Sequence, residues 1–192
     1  LISNKGFSIK LSILVFIAGM LFSCKNDIKE VHALTSDKKL PIQTTYNASY
    51  DYTEGGKLKN RLVVTQLDRY IGDDPYVEVS NGFTMFIYDS LEQVEAELSA
   101  VRGIYREDKF TMEAREDVVL QNKNGDQLNT EELIWLQDSG IIYTDKFVKI
   151  TRDDGVLFGM GMVSNESFTK YSIKQPTGEM NVELDSLKSS KK

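Results

Sequence analysis

Residues 129–150 read NTEELIWLQDSGIIYTDKFVKI and hold the only tryptophan of the chain, Trp135. The first half has helical composition: Thr130 is a candidate cap, followed by Glu131, Glu132, Leu133, Leu136 and Gln137 at helical spacing. The second half crowds β-formers together in Ile141, Ile142, Tyr143, Phe147, Val148 and Ile150. Either a helix feeds a strand around a site built on Trp135, or these are two strands of a repeated unit. A shift of 30 residues decides between them. It lays Leu98 on Leu128, Ala100 on Thr130, Tyr105 on Trp135, Met112 on Ile142, Val118 on Val148 and Leu120 on Ile150. Helical arrays of this period need two amphipathic helices per unit, and no such runs are present. Strands of roughly ten residues fit instead, and they explain the alternation. Leu98 and Ala100, Met112 and Ala114, Val118 and Leu120 share a parity, as do Leu128 and Thr130, Ile142 and Thr144, Val148 and Ile150. A further shift lays Gly125 on Gly155, Leu128 on Phe158, Thr130 on Met160 and Leu133 on Val163, which predicts Phe158 and Met160 on the same face.

The rest of the chain from Tyr46 onward extends this pattern. Turn pairs recur at Gly55-Gly56, Asp73-Asp74-Pro75, Asn81-Gly82, Asn124-Gly125, Ser139-Gly140, Asp154-Gly155 and Pro176-Thr177-Gly178. Asn-Gly and Asp-Gly pairs at that density mark hairpins of an all-β domain. The segments FTMFIYD (83–89) and KFVKITRDDGVLFGMGMV (146–163) are its clearest strands. The helical composition of SLEQVEAELSA (90–100) and TEELIWLQ (130–137) yields to the repeat, because propensity is the weaker signal.

Before the domain, Lys5 and Lys10 precede the apolar run LSILVFIAGMLF (11–22), then Ser23, Cys24 and charged residues. A basic start and a short apolar core are the marks of a secretory signal, and the run is shorter than the about 20 residues a membrane span needs. Cys24 is the sole cysteine, so an internal disulfide is excluded. The stretch L-F-S-C resembles the lipobox of bacterial lipoproteins, in which the cysteine carries the lipid; an uncleaved anchor helix is the alternative. The expected organisation is a signal peptide over 1–23, a lipidated N-terminus and tether over 24–45, a β-domain over 46–182 and a polar tail over 183–192. The net charge of −6 and the lack of a basic stripe exclude a nucleic-acid binder.

Catalytic parts are missing. His32 is the only histidine and lies in the tether, so Ser-His-Asp and Cys-His arrangements have no base in the domain. Zinc ligation lacks its His and Cys clusters. A calcium loop set on Gly125 would place Leu120 at the first ligand position and fails. Gly159 and Gly161 are a lone glycine pair in a strand, not a nucleotide loop. The expectation is no enzyme, no metal and no cofactor. The apolar face remains, either as the closed core of a β-sandwich or as the lining of an open trough.

The ordered pattern of GKLKNRLVVTQLDRY (56–70), NGFTMFIYDS (81–90), the two-copy segment 94–150 and SFTKYSIKQPTGEM (167–180) resembles the LptC family. These are membrane-anchored lipopolysaccharide-export proteins with the LptA/OstA-type jellyroll. The resemblance implies a V-shaped, repetitive antiparallel β-jellyroll whose interior carries lipid A acyl chains. The groove residues it implies are Phe83, Met85, Ile87, Leu98, Ala100, Met112, Ala114, Val118, Leu120, Leu128, Thr130, Leu133, Trp135, Ile142, Thr144, Val148, Ile150, Phe158 and Met160. Tyr105 and Trp135 either wedge the sheets apart or close the trough. The implied partners are lipopolysaccharide, an LptBFG-type ABC exporter and an LptA-type bridge joined by edge-strand addition. A lipid on Cys24 would replace the transmembrane helix of better-studied relatives and hold the protein at the inner membrane, facing the periplasm. The competing class is a structural or adhesion-type envelope lipoprotein with a closed core.

Overall fold

The computed structural model describes residues 40–181; the signal segment, Cys24, most of the tether and the tail 183–192 lie outside them. By its contacts the chain divides into Leu1–Leu40 and Pro41–Lys192, and the fold described here belongs to the second unit. Ten strands follow in order: β1 (Gln43–Glu54), β2 (Lys57–Tyr70), β3 (Tyr76–Tyr88), β4 (Val94–Ala100), β5 (Arg102–Arg106), β6 (Thr111–Asn122), β7 (Gln127–Leu136), β8 (Ile141–Arg152), β9 (Gly155–Asn165) and β10 (Tyr171–Asn181). Gln43–Thr45, expected at the end of the tether, are already strand and pair with Leu67–Arg69. All strands join one antiparallel sheet in nearly sequential order, β1-β2-β3-β4-β6-β7-β8-β9-β10, with β5 pairing β3 and β6. The opening stretch is β7 and β8 with a single 3-10 turn, Gln137–Ser139, between them. Gly140 ends that turn at φ 62°, a conformation glycine adopts without steric cost.

The sheet is creased. Residues Val77–Val79 of β3 pair with β5, whereas Phe83–Tyr88 pair with β4. β6 splits in the same way, Thr111–Arg115 to β5 and Val119–Asn122 to β4. β4 and β5 are thus two arms of one bent strand, parted at Val101. Register shifts at Val64/Gln66, Arg115/Val118, Thr130/Ile134 and Thr144/Phe147 continue the crease across the sheet. Positive φ angles cluster there: Asn47 at 50°, Gly82 at 98°, Glu116 at 65°, Asp117 at 52° and Gly161 at 74°. Bulged strands bend and twist more sharply, so a bulge in strand after strand folds one long sheet into two facing arms. The arms meet closely at the crease, where a Cβ on Gly103 would stand 2.9 Å from the Phe83 ring.

Each arm buries one face. The outer faces carry ion pairs, cross-strand in Arg61–Asp51 at 2.7 Å, Arg102–Glu78 at 2.6 Å and Arg115–Glu132, and within β6 in Arg115–Glu113. These exposed pairs add little stability individually, roughly 0–1 kcal/mol, but they keep the outer faces polar.

Candidate functional site

Across one arm an unbroken inner rung runs Tyr50–Leu62–Met85–Leu98–Leu120–Leu128–Ile150–Leu157, each residue opposite the next. Across the other arm the rung nearest the turns runs Val77–Tyr105–Met112–Trp135–Ile142–Ser164–Tyr171. Tyr105 and Trp135 therefore occupy the same rung, with Met112 between them. Apolar side chains at cross-strand distance on one face make a continuous surface, which is what a two-residue period delivers in register.

The expected groove residues Phe83, Met85, Ile87, Leu98, Ala100, Met112, Ala114, Val118, Leu120, Leu128, Thr130, Leu133, Trp135, Ile142, Thr144, Val148 and Ile150 are all buried on this inner face. Phe158 and Met160 are not. Met160 is 42% exposed and pairs with exposed Phe147, while Phe158 stacks on Phe147 with ring centroids 6.2 Å apart. The cause is a turn. β6 and β7 close around Lys123–Gly125 with Asn122 bonded to Asp126, whereas β8 and β9 close around Asp153-Asp154 alone, Arg152 facing Gly155. One residue fewer slips the third unit by one, and a one-residue slip turns every side chain to the other face. Leu157 and Gly159 take the inner positions expected for Phe158 and Met160.

The interior is filled unevenly. Leu120, Leu128, Ile142, Val148 and Ile150 are wholly buried and pack as a core in the middle of the sheet. Towards β1 the inner face emerges into solvent, with Tyr50 at 40% and Tyr52 at 60% exposure. A concavity of about 560 Å³ lies along the crease at this end, lined by the outward rung Ser49, Val63, Thr84 and Ser99 as well as by Val64 and Phe83, so it does not belong to the inner face alone. At the other end the arms are bridged. Phe168, in the turn after β9, is wholly buried and stacks on Tyr171 at 4.9 Å. Asn122 Nδ2 on the facing arm donates to the Phe168 carbonyl at 2.8 Å. The sequence conceals this plug, since NESFTK (165–170) looks like an ordinary polar turn; its one signal is an aromatic amid polar residues.

Polar groups inside are few. Thr130 Oγ1 donates to the Phe147 carbonyl and the Ser164 hydroxyl to the Asn165 carbonyl. Burial raises the Tyr105 phenol, with the nearby Glu107 carboxylate adding to the shift. Burial also raises Tyr171, against the opposing pull of Arg152. Trp135 Nε1 is buried with no hydrogen-bond partner among the described residues. No group of three or more His, Cys, Asp or Glu side chains among the described residues is placed to hold a metal. No helix among them is long and apolar enough to cross a membrane.

Fold and interior define the class: a jellyroll-type β-protein whose one creased sheet encloses an apolar face running from edge to edge. A family model described as lipopolysaccharide-assembly, LptC-related matches residues 11–175. Comparison with curated proteins gives no match. The chain belongs to the LptC family, and its role lies in lipopolysaccharide transport. That family is a component of periplasmic transport rather than a family of enzymes.

Proposed function

We propose that this protein accepts lipopolysaccharide from an inner-membrane LptBFG-type ABC exporter and passes it to an LptA-type periplasmic bridge. The acyl chains lie between the arms while the sugars stay in solvent, and the protein contributes no chemistry of its own. The supporting observation is the inner apolar face, continuous across the described strands and ending, among the described residues, at unpaired edges, β1 on one side and β10 on the other. Contacts proportional to area and without direction suit a cargo that must slide. Methionines such as Met85, Met112 and Met162 adapt to varied chain shapes. The solvent-open stretch beside Tyr50 and Tyr52 gives acyl chains their way in. Unpaired edges add a neighbour's strand through main-chain hydrogen bonds, which joins the protein to the exporter and the bridge. A lipid on Cys24 holds it at the inner membrane.

A photo-crosslinking residue at Tyr50, Tyr52 or Met85 tests this in cells. Adducts with lipopolysaccharide during export are expected from inward positions and not from Met160. Absence of adducts from every inward position overturns the carrier reading. Depletion should separately accumulate lipopolysaccharide at the inner membrane.

A further inference from the structure

The one tryptophan carries a polar atom that the fold leaves unanswered. Trp135 is 4% exposed and its Nε1 has no acceptor among the described residues. A donor removed from water without a partner carries a desolvation penalty that a phenylalanine of similar shape would not. Its strand neighbours on the rung, Met112 and Ile142, offer no strong side-chain acceptor. Its depth is also informative. This is the last inner rung before the turns Glu107–Lys109 and Gln137–Ser139, so Trp135 stands at the end of the apolar face, one rung from the turns. Tyr105, half-buried on the same rung, stands at the same end.

A hydrocarbon tail has nothing to accept a hydrogen bond. An acyl chain joined to its head group by an ester or amide has a carbonyl oxygen where the tail ends. We propose that Trp135 Nε1 donates to the linkage carbonyl of a bound acyl chain, so that the interior distinguishes acyl amphiphiles from alkyl-ether ones. The proposal rests on the reading of the interior as an acyl-chain site and adds the feature of the ligand that it recognises.

Palmitoyl lysophosphatidylcholine and its hexadecyl ether analogue differ only by that carbonyl. Each is titrated below its micelle concentration into the full chain labelled with nitrogen-15, whose spectrum holds a single indole N–H resonance. The expected result is an affinity about five- to tenfold higher for the ester, the worth of one hydrogen bond. The indole proton should move downfield with the ester and not with the ether. Trp135→Phe should bind both alike, close to the wild-type affinity for the ether. Equal wild-type affinities, or a preference that survives Trp135→Phe, overturn the assignment while leaving the carrier reading intact. Binding of neither probe removes the acyl-chain site itself and the assignment with it. The wild-type comparison needs no variant, so it decides the matter even if Trp135→Phe fails to fold.

Discussion

Gly159 shows how little room single positions have. It takes an inner place on β9, and a Cβ there would collide with Ile173 Cγ2 and stand 2.7 Å from the Gln175 carbonyl of β10. Backbone cannot yield as a side-chain end can, so Gly159→Ala should destabilise the protein by about 1–3 kcal/mol, the usual range for overpacking. Gly178 is the control: none of the described residues lies within 4 Å of its Cβ position, and Gly178→Ala should stay within about 0.5 kcal/mol of wild type. Chemical denaturation measures both, and equal effects would contradict the close approach of β10 to Gly159. In the middle of the sheet, Leu120→Ala removes a wholly buried side chain and should cost about 2–5 kcal/mol. A markedly smaller loss would mean that Leu120 lines open space instead of packing against protein.

At the scale of elements, turns decide faces and ends. The bridge between Asn122 and Phe168 joins the turn after β6 to the turn after β9, and Asn122 serves both arms. Its Oδ1 accepts from Asn124 N at 2.9 Å and Asp126 N at 3.0 Å, while its Nδ2 reaches the Phe168 carbonyl. Asn122→Asp keeps the acceptors but removes the donor to both the Phe168 carbonyl and the Asp126 carboxylate and sets a second carboxylate against them, so it should cost at least about 1–3 kcal/mol. Hydrogen exchange should then show lost protection at residues 165–171, with β3 and β4 unchanged; uniform loss throughout would deny the bridge a local role. A second turn gives a pH signature. Asp89 Oδ1 accepts from Gln93 N at 3.0 Å and Leu91 N at 2.8 Å, and these hydrogen bonds hold its carboxyl below the ordinary range. A lowered folded value means that the stabilisation is full above the unfolded value, near 3.8, and vanishes as pH falls through the folded one. Asp89→Asn should therefore melt below wild type at neutral pH, and the gap should narrow as pH falls below the unfolded value of 3.8.

For the whole molecule, the sheet is one structure with two different ends. The β1 end leaves Tyr50 and Tyr52 in solvent on the inner face, and the β9–β10 end is plugged by Phe168. An acyl amphiphile that binds only the folded state should raise the unfolding free energy by mass action, about 2.7 kcal/mol at a hundredfold excess over Kd. A calorimetric series at rising ligand concentration checks this, and an unchanged melting temperature at saturation would contradict binding between the arms.

Strand type, the repeat and the identity of the inner face were legible because a period of two leaves its mark on every other residue. Leu98 to Ile150 needed only alternation and one 30-residue shift. The same shift misplaced Phe158 and Met160, since a turn shorter by one residue inverts the parity beyond it while leaving composition untouched. The crease was not legible either: the positive φ at Glu116 and Asp117 falls inside a strand, with no glycine or proline beside it to mark a break. Nor was Phe168, whose burial depends on Asn122 arriving from a strand 46 residues away. Local alternation by itself determined which faces are apolar. Only the tertiary structure decided where those faces close, where they open, and that the indole nitrogen of Trp135 has no partner among the described residues, because each depends on which residues the folded arms bring opposite one another.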